Sequence, residues 1–586
     1  MWAAAVLLCL PLVVDALPYL DQVPLTSDLS STVTWQEVVA TPYLDTWALN
    51  PAGDAAVIRV STVDVETETP TGDEWVLSVQ SLNYTIAPPA YPPSASEPSV
   101  VAHFKLPSSP EKVVYSEGSG KLVLVLDGTV EASFQHTGSL VVVDINEAEG
   151  IWDTGEQHFP LAGTDLLYTL DLDHLGITQI SGGNQGAVFS PTWSFDGKLA
   201  WLEQREDGNA RDQRRLWLHD GDGKWEVKLK DWHLSPLSVL FSKNGEAINL
   251  LTLHSMEQSL YHIWTPNRST SPVTPILIPS HGTIHEAIHV GISPLNHSHL
   301  IGVKSSLTSA RELFVISHSP FEDPTDNLEE IRLTEFSEQT LHGKSMTKGI
   351  EFYFDNDVGQ RIQGRIMVPK TGAAKKPVLF YLHGDEEGAG WHDWWMPYMN
   401  QNGEVTASHL AYIQAENPEA FVTAGFIVVN INPTGAEGYG DSESFHHGSP
   451  LKKGFIRART GQWGNQTITD LAIGLKYCIK NFPVDENNLF AYGYGAYGGF
   501  AVHWLQGHNE DFGFKGFISH DGILSPRWWA LESAVPSTAN WEFGSLIGSP
   551  DSPFNKWDPE RFVAKWNSPE LLITDGDGEL WLRGKS

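Results

Sequence analysis

The repeating unit of this chain changes near residue 335, and no single kind of layer accommodates both halves. From about 45 to 335 the sequence is written in short alternating runs, among them "KLVLVLDG", "SLVVVDIN", "KLAWLEQ", "RRLWLHDG" and "KWEVKLK". Successive side chains on a strand point to opposite faces, so such runs predict half-buried β-strands and give no helix a continuous apolar stripe. Asp-Gly pairs punctuate them at 196–197, 207–208, 220–221 and 222–223. This is hairpin chemistry, because the tight turn needs a positive φ. A looser phrase also recurs: an aromatic or apolar residue, Ser or Asn, a glycine turn, then a strand. Its copies are "WALNPAGDAAVI", "WSFDGKLAWL", "LFSKNGEAINLL" and a degenerate "VGISPLNHSHLIGV". The last three begin about fifty residues apart, the length of one four-stranded propeller blade. The pattern predicts an all-β propeller over 17–335, with blades from about 45. A pair of β-sandwiches is the alternative it allows.

After "FEDPTDNLEEIRLTEF" the period changes. Strand candidates at 377–383, 425–432, 488–493, 515–520 and 570–574 alternate with helical stretches. Regular alternation of strand and helix predicts a mostly parallel, doubly wound sheet covered on both faces, here over 336–586. Ligands of such sheets bind beyond the carboxyl ends of the strands. The loops "LHGDEEG", "INPTGAEGYG", "YGAYGG" and "SHDG" all fall there.

The chain has 586 residues, too many for one ordinary core, and a formal net charge of −35 from 37 basic and 72 acidic residues. Such a field repels phosphate backbones and anionic lipid heads, so neither nucleic acid nor a membrane surface is an expected partner. The N-terminal "MWAAAVLLCLPLVVDALPYL" carries an apolar run from Ala3 to Val14, too short to span a bilayer. Val14-Asp15-Ala16 offers a small-residue cleavage site before Leu17. The expectation is a signal peptide over 1–16 and a secreted, extracellular protein; a buried N-terminal strand or helix is the alternative. Sequons at Asn83, Asn267, Asn296 and Asn465 predict N-glycosylation. Of two cysteines, Cys9 would leave with the leader, so no intrachain disulfide is expected. Cys478 lies three after Leu475 on a helical apolar stripe and reads as a core thiol rather than a nucleophile.

One stretch concentrates the chemistry. "AYGYGAYGG", 491–499, has an apolar strand leading in, small residues at a corner and a helical pattern leading out. With "IQGRIMVP", "PVLFYLHG", "INPTGAEGYG" and "FKGFISHDG" in the same order, it resembles the prolyl oligopeptidase family, most closely its secreted fungal dipeptidyl-peptidase V type. The resemblance implies an α/β-hydrolase domain capped by a β-propeller, with short peptides as partners cleaved by serine attack between the two. It implies no metal and no cofactor.

Carried over residue by residue, the resemblance puts Ala496 at the place of the nucleophile serine. A methyl group cannot attack a carbonyl. Tyr494 stands where the family has a glycine, which predicts a distorted corner. The backbone N–H groups of Tyr497 and Gly384 are the expected oxyanion donors. Chain order in this fold is serine, acid, histidine. Asp577 is the nearest candidate for the acid, and no histidine follows His520. The triad histidine is therefore expected to be absent, as are the last strand and helix of the sheet. The ending Gly584-Lys585-Ser586 is what GGU-AAG-UCN would encode, so an unspliced intron is its expected source. His503 and His520 precede the acid and are expected to be structural. The reading is an impaired exopeptidase, with a non-catalytic peptide-binding protein as alternative.

Two other motifs compete. Gly493, Gly495 and Gly498 also spell G-x-G-x-x-G, with Asp521 beyond the next strand, the pattern of a dinucleotide turn. Two strands with their own loops precede it, whereas that unit should open its sheet. "DGDGE" at 575–579 has the look of a calcium loop but lacks the glutamate at position twelve, so a polar turn is expected.

Overall fold

The computed structural model describes residues 187–383, 417–440 and 455–573 with short interruptions, and upstream of them a set of short stretches between 33 and 180. The expected signal peptide lies outside the described residues.

Up to Arg332 the strands form antiparallel sheets. Among the described residues five of these have four strands, opening with Tyr43–Leu49, Pro110–Ser116, Val188–Trp193, Pro236–Phe241 and Thr283–Ile292. The four copies of the recurring phrase occupy one position in the strand order, the connection between the first and second strands of a sheet. They join Tyr43–Leu49 to Ala55–Ser61, Val188–Trp193 to Leu199–Glu203, Pro236–Phe241 to Ala247–His254 and Thr283–Ile292 to Ser298–Ser306. At the second of these turns Gly197 takes φ +84°, as the Asp-Gly rule requires. Tyr43–Leu49 of the first sheet lies beside both Pro110–Ser116 and Ser309–His318 of the last.

The second half builds one seven-stranded sheet from β1 (Ile350–Asp355), β2 (Arg361–Met367), β3 (Lys376–Leu382), β4 (Ile427–Asn432), β5 (Val484–Tyr494), β6 (Gly516–His520) and β7 (Glu570–Ile573). Their order is β1-β2-β4-β3-β5-β6-β7. β1, β2 and β4 pair antiparallel, and β4, β3, β5, β6 and β7 run parallel. The five strands expected from sequence are the five parallel ones.

Apolar residues on successive positions serve opposite faces, which is why these strands read as continuous apolar runs. Phe380, Val429 and Ala491 pack with Leu471 and Leu475 of α2 (Gln466–Asn481) and Phe500 of α3 (Gly495–Gly507). Leu379, Tyr381, Val428 and Tyr492 pack on the other side with Phe421 of α1 (Pro418–Thr423) and with Met256 from the antiparallel half. Cys478 of α2 is buried in the first of these clusters.

Candidate functional site

Parallel register brings the carboxyl ends of the central strands together: Leu382 pairs with Gly493, and Tyr494 with His520. The corner between β5 and α3 lies at this edge. Tyr494 remains extended at φ −112° and ψ 147°, and Gly495 turns the chain at φ +65°. Positive φ is costly for residues with a Cβ, so a glycine here lets the strand pass directly into a helix. Ala496 is the second residue of α3 and fully buried. No oxygen, sulfur or nitrogen nucleophile is carried by the side chains of Gly495 or Ala496.

The expected distortion is absent. A Cβ on Gly493 would lie 2.1 Å from the Gly498 carbonyl oxygen, and one on Gly499 would lie 2.0 Å from Gly522 Cα. Strand, helix and the loop after β6 thus meet backbone to backbone. Gly493, one place before Tyr494, makes the close approach that an ungapped match assigns to residue 494.

Tyr497 turns its ring inward. It packs edge-on against Trp463 at 5.2 Å, and the Arg459 guanidinium covers it at 5.6 Å. Arg459 is itself held by Glu542 through two contacts of 3.2 Å, and Glu542 also accepts from Trp463 Nε1 at 2.8 Å. Burial holds the Tyr497 phenol well above its ordinary range. What this residue offers the corner is therefore its backbone N–H, in the helix turn where amides lack an intrahelical acceptor.

The loop after β4 is fixed by a carboxylate that the sequence did not single out. Asp470 of α2 accepts from Thr434 N at 2.7 Å, Thr434 Oγ1 at 2.5 Å, Asn356 Nδ2 at 2.9 Å and Gln466 Nε2 at 3.0 Å. Farther along the loop, Gly438 accepts from Ser255 N at 2.8 Å, which docks the antiparallel half onto this edge.

The histidines near the corner are tied into the frame. His520 Nδ1 is 3.1 Å from Tyr492 Oη. His503 lies 3.0 Å through Nε2 from Glu570 of β7 and 3.1 Å through Nδ1 from the Ile523 carbonyl, with its ring stacked on Trp566 at 5.4 Å. His383, after β3, is buried next to Asn432 and Ile431, and burial lowers it to about 4. At neutral pH it is an uncharged imidazole.

Gly384, Asp577, Asp521, residues 575–579 and the sequons at Asn83 and Asn296 lie outside the described residues. Asn267 and Asn465 are exposed. The Asn267 amide oxygen caps Ser269 and Thr270, and Asn465 Nδ2 donates to Gln462 at 2.8 Å. Among the described residues no group of three His, Cys, Asp or Glu side chains has the arrangement of a metal site. No helix among them is long and apolar enough to cross a membrane.

Residues 412–578 match the Prolyl oligopeptidase family. The chain is 26% identical over 417 residues to dipeptidyl-peptidase 5 of Schizosaccharomyces pombe, a match covering 70% of this chain and 53% of the relative. It is 29% identical over 233 residues to dipeptidyl-peptidase 5 of Aspergillus oryzae, covering 38% and 27%. The chain thus spans about half the length of the first relative or less of the second. In fold it is similar to the acylaminoacyl peptidase of Pyrococcus horikoshii, with a TM-score of 0.60 at 15% identity over 93% of this chain and 87% of that one.

Proposed function

The chain belongs to the prolyl oligopeptidase family, and from that premise we propose that it is a serine-type exopeptidase of the dipeptidyl-peptidase 5 kind whose chemical step is impaired. Its substrate class is short peptides with a free N-terminus, from which the intact reaction would release dipeptides. The single observation that carries the impairment is the corner: Gly495 and Ala496 stand where strand becomes helix, and neither side chain can attack a carbonyl. The glycine contacts of the corner are present, and Tyr497 lies in the first turn of α3, which supports its N–H as a donor there. In a serine peptidase, loss of the nucleophile alone costs about a millionfold in turnover while binding persists. Ground-state peptide binding is therefore expected to outlast catalysis.

A propeller over the N-terminal half is part of this reading. It is supported by five four-stranded antiparallel sheets in succession and by the adjacency of the first to the last. The proposal also holds that the mature chain begins near Leu17, is exported, and carries glycans on some of the four sequons.

The test is a pair of measurements on the purified chain. Tryptophan fluorescence should change saturably on adding a proline-free tetrapeptide with a free N-terminus, while the same peptide with an acetylated N-terminus binds at least tenfold more weakly. A dipeptidyl-coumarin should show no turnover above the buffer rate. Equal binding of the two peptides would remove the exopeptidase reading, and measurable turnover would remove the impairment.

A further inference from the structure

Away from the corner, a cavity of about 640 Å³ opens between the two halves of the chain. Its walls come from three places. Thr308 and Ser309 belong to the hairpin turn of the last antiparallel sheet, residues 337–348 form the connecting segment, and Val368 and Lys370 follow β2. Four basic side chains line it, Arg332, Lys344, Lys348 and Lys370, and no Asp or Glu among the described side chains does. Acidic residues outnumber basic ones 72 to 37 in the whole chain, so a wall of this composition runs against the average. The remaining polar lining is hydroxyl, including Ser309, Ser345 and Thr347.

The carboxylates behind the wall are already engaged. Glu312 takes Arg332 at 2.8 Å along with Thr334 and Ser337. Glu37 takes Lys344 at 2.8 Å. Glu419 accepts from the Thr347 N–H and hydroxyl, each at 3.0 Å. Two further ammonium groups belong to no close ion pair among the described residues. Lys370 donates to the Met346 carbonyl at 2.8 Å and to the Ser345 hydroxyl, both neutral acceptors, and its charge also acts on the Glu419 carboxyl. Both Lys348 and Lys370 are exposed.

We propose that this cavity is a binding site for a small organic oxyanion, held through its phosphate or carboxylate by Lys348 and Lys370, with the Ser345 hydroxyl, which accepts from Lys370 and keeps its own proton, as a further donor. Ammonium groups and hydroxyls together supply charge and directional donors, the combination that recognises an oxyanion in water. The volume is several times that of one phosphate, so the anion would bring an organic body that lies against Leu341, Met346 and Val368. Because the walls come from both halves of the chain, a bound anion clamps them to one another. The cavity is separate from the corner, and its anion would bind whether or not the chain handles peptides.

The probes are inorganic phosphate and citrate, each titrated into the full chain at constant ionic strength with chloride as the balancing salt, with melting temperature as the readout. A ligand that binds only the folded chain stabilises it by RT ln(1 + L/Kd) at free concentration L, so that temperature climbs with the logarithm of concentration above Kd. The expected result is such a logarithmic rise with at least one of the two probes and none with chloride. Phosphate alone or citrate alone would say which head group the site prefers. Lys348→Gln, an exposed change, should raise the concentration needed for a given rise at least fivefold, and Lys348→Gln with Lys370→Gln should abolish the rise. If chloride gives the same shift, or if Lys348→Gln binds as the parent chain does, the site is refuted. Should the double variant fail to fold, the single variant decides the matter by itself.

Discussion

A methyl group at 496 and a hydrogen at 495 leave those two positions without a side-chain nucleophile, and the one cysteine in this core does not supply one. Cys478 is fully buried on α2, and burial raises its thiol far above the ordinary range. The thiolate is the reactive form, so this residue should be inert in the folded chain. Mass spectrometry after brief iodoacetamide treatment should find the Cys478 peptide unmodified in native protein and fully modified in denaturant. Full modification of the native chain would contradict the packing described for α2. Glu419 makes a second prediction. Burial, the larger effect, raises its carboxyl from 4.5 to about 7 against the bonds from Thr347. The folded chain then holds a proton between those two values that the unfolded chain has released. Its contribution to stability is present at the low end of that window and is lost as pH rises through it. Glu419→Gln removes this slope. The difference in unfolding free energy between parent and variant should therefore change between pH 4.5 and 7, by ~3 kcal/mol at most. A pH-independent difference in urea unfolding would show that Glu419 titrates normally.

At the scale of elements, the join of β5 to α3 rests on backbone contact. Gly499→Ala would place a Cβ 2.0 Å from Gly522 Cα, an atom that cannot move aside as a side-chain tip would. It should cost about 1–3 kcal/mol or more through overpacking, even though alanine favours a helix. Gly516→Ala on β6 is the comparison, since its nearest neighbour is an ordinary 3.5 Å contact with Phe490; it should change stability by less than about 1 kcal/mol. Similar melting temperatures for the two variants would deny the close approach. The strands of the parallel sheet were legible in the sequence because each is a short apolar run closed by proline, glycine or asparagine on at least one side. So were the turns at Gly197 and Gly245, because a glycine at positive φ is a local requirement there. The register of the corner was not. An ungapped comparison puts the burden on Tyr494, whereas in three dimensions Gly493 carries it, and only the position of α3 reveals that. The ties of Arg459 to Glu542, Asp470 to Thr434 and His503 to Glu570 were likewise hidden. Each joins residues tens of positions apart, and such pairs leave no periodic trace.

Across the whole molecule, two architectures meet at the carboxyl edge of one sheet. The last antiparallel strand ends at Arg332 and β1 begins at Ile350. Between them runs the segment that also walls the cationic cavity. The Ser255–Gly438 bond and Met256 in the sheet's second cluster fasten the halves beside the corner. In the function proposed above the peptide would bind beside this join, and among the corner positions neither Gly495 nor Ala496 carries a group able to form an acyl-enzyme. A fluorophosphonate probe tests that most directly, because it forms a stable bond only with an activated serine. The purified chain and the dipeptidyl-peptidase 5 of Schizosaccharomyces pombe should be treated side by side and read by intact mass and peptide mapping. The expected result is a full adduct on the relative and none on this chain. A stoichiometric adduct on any serine between 417 and 573 of this chain would contradict it and would locate the nucleophile somewhere other than the corner.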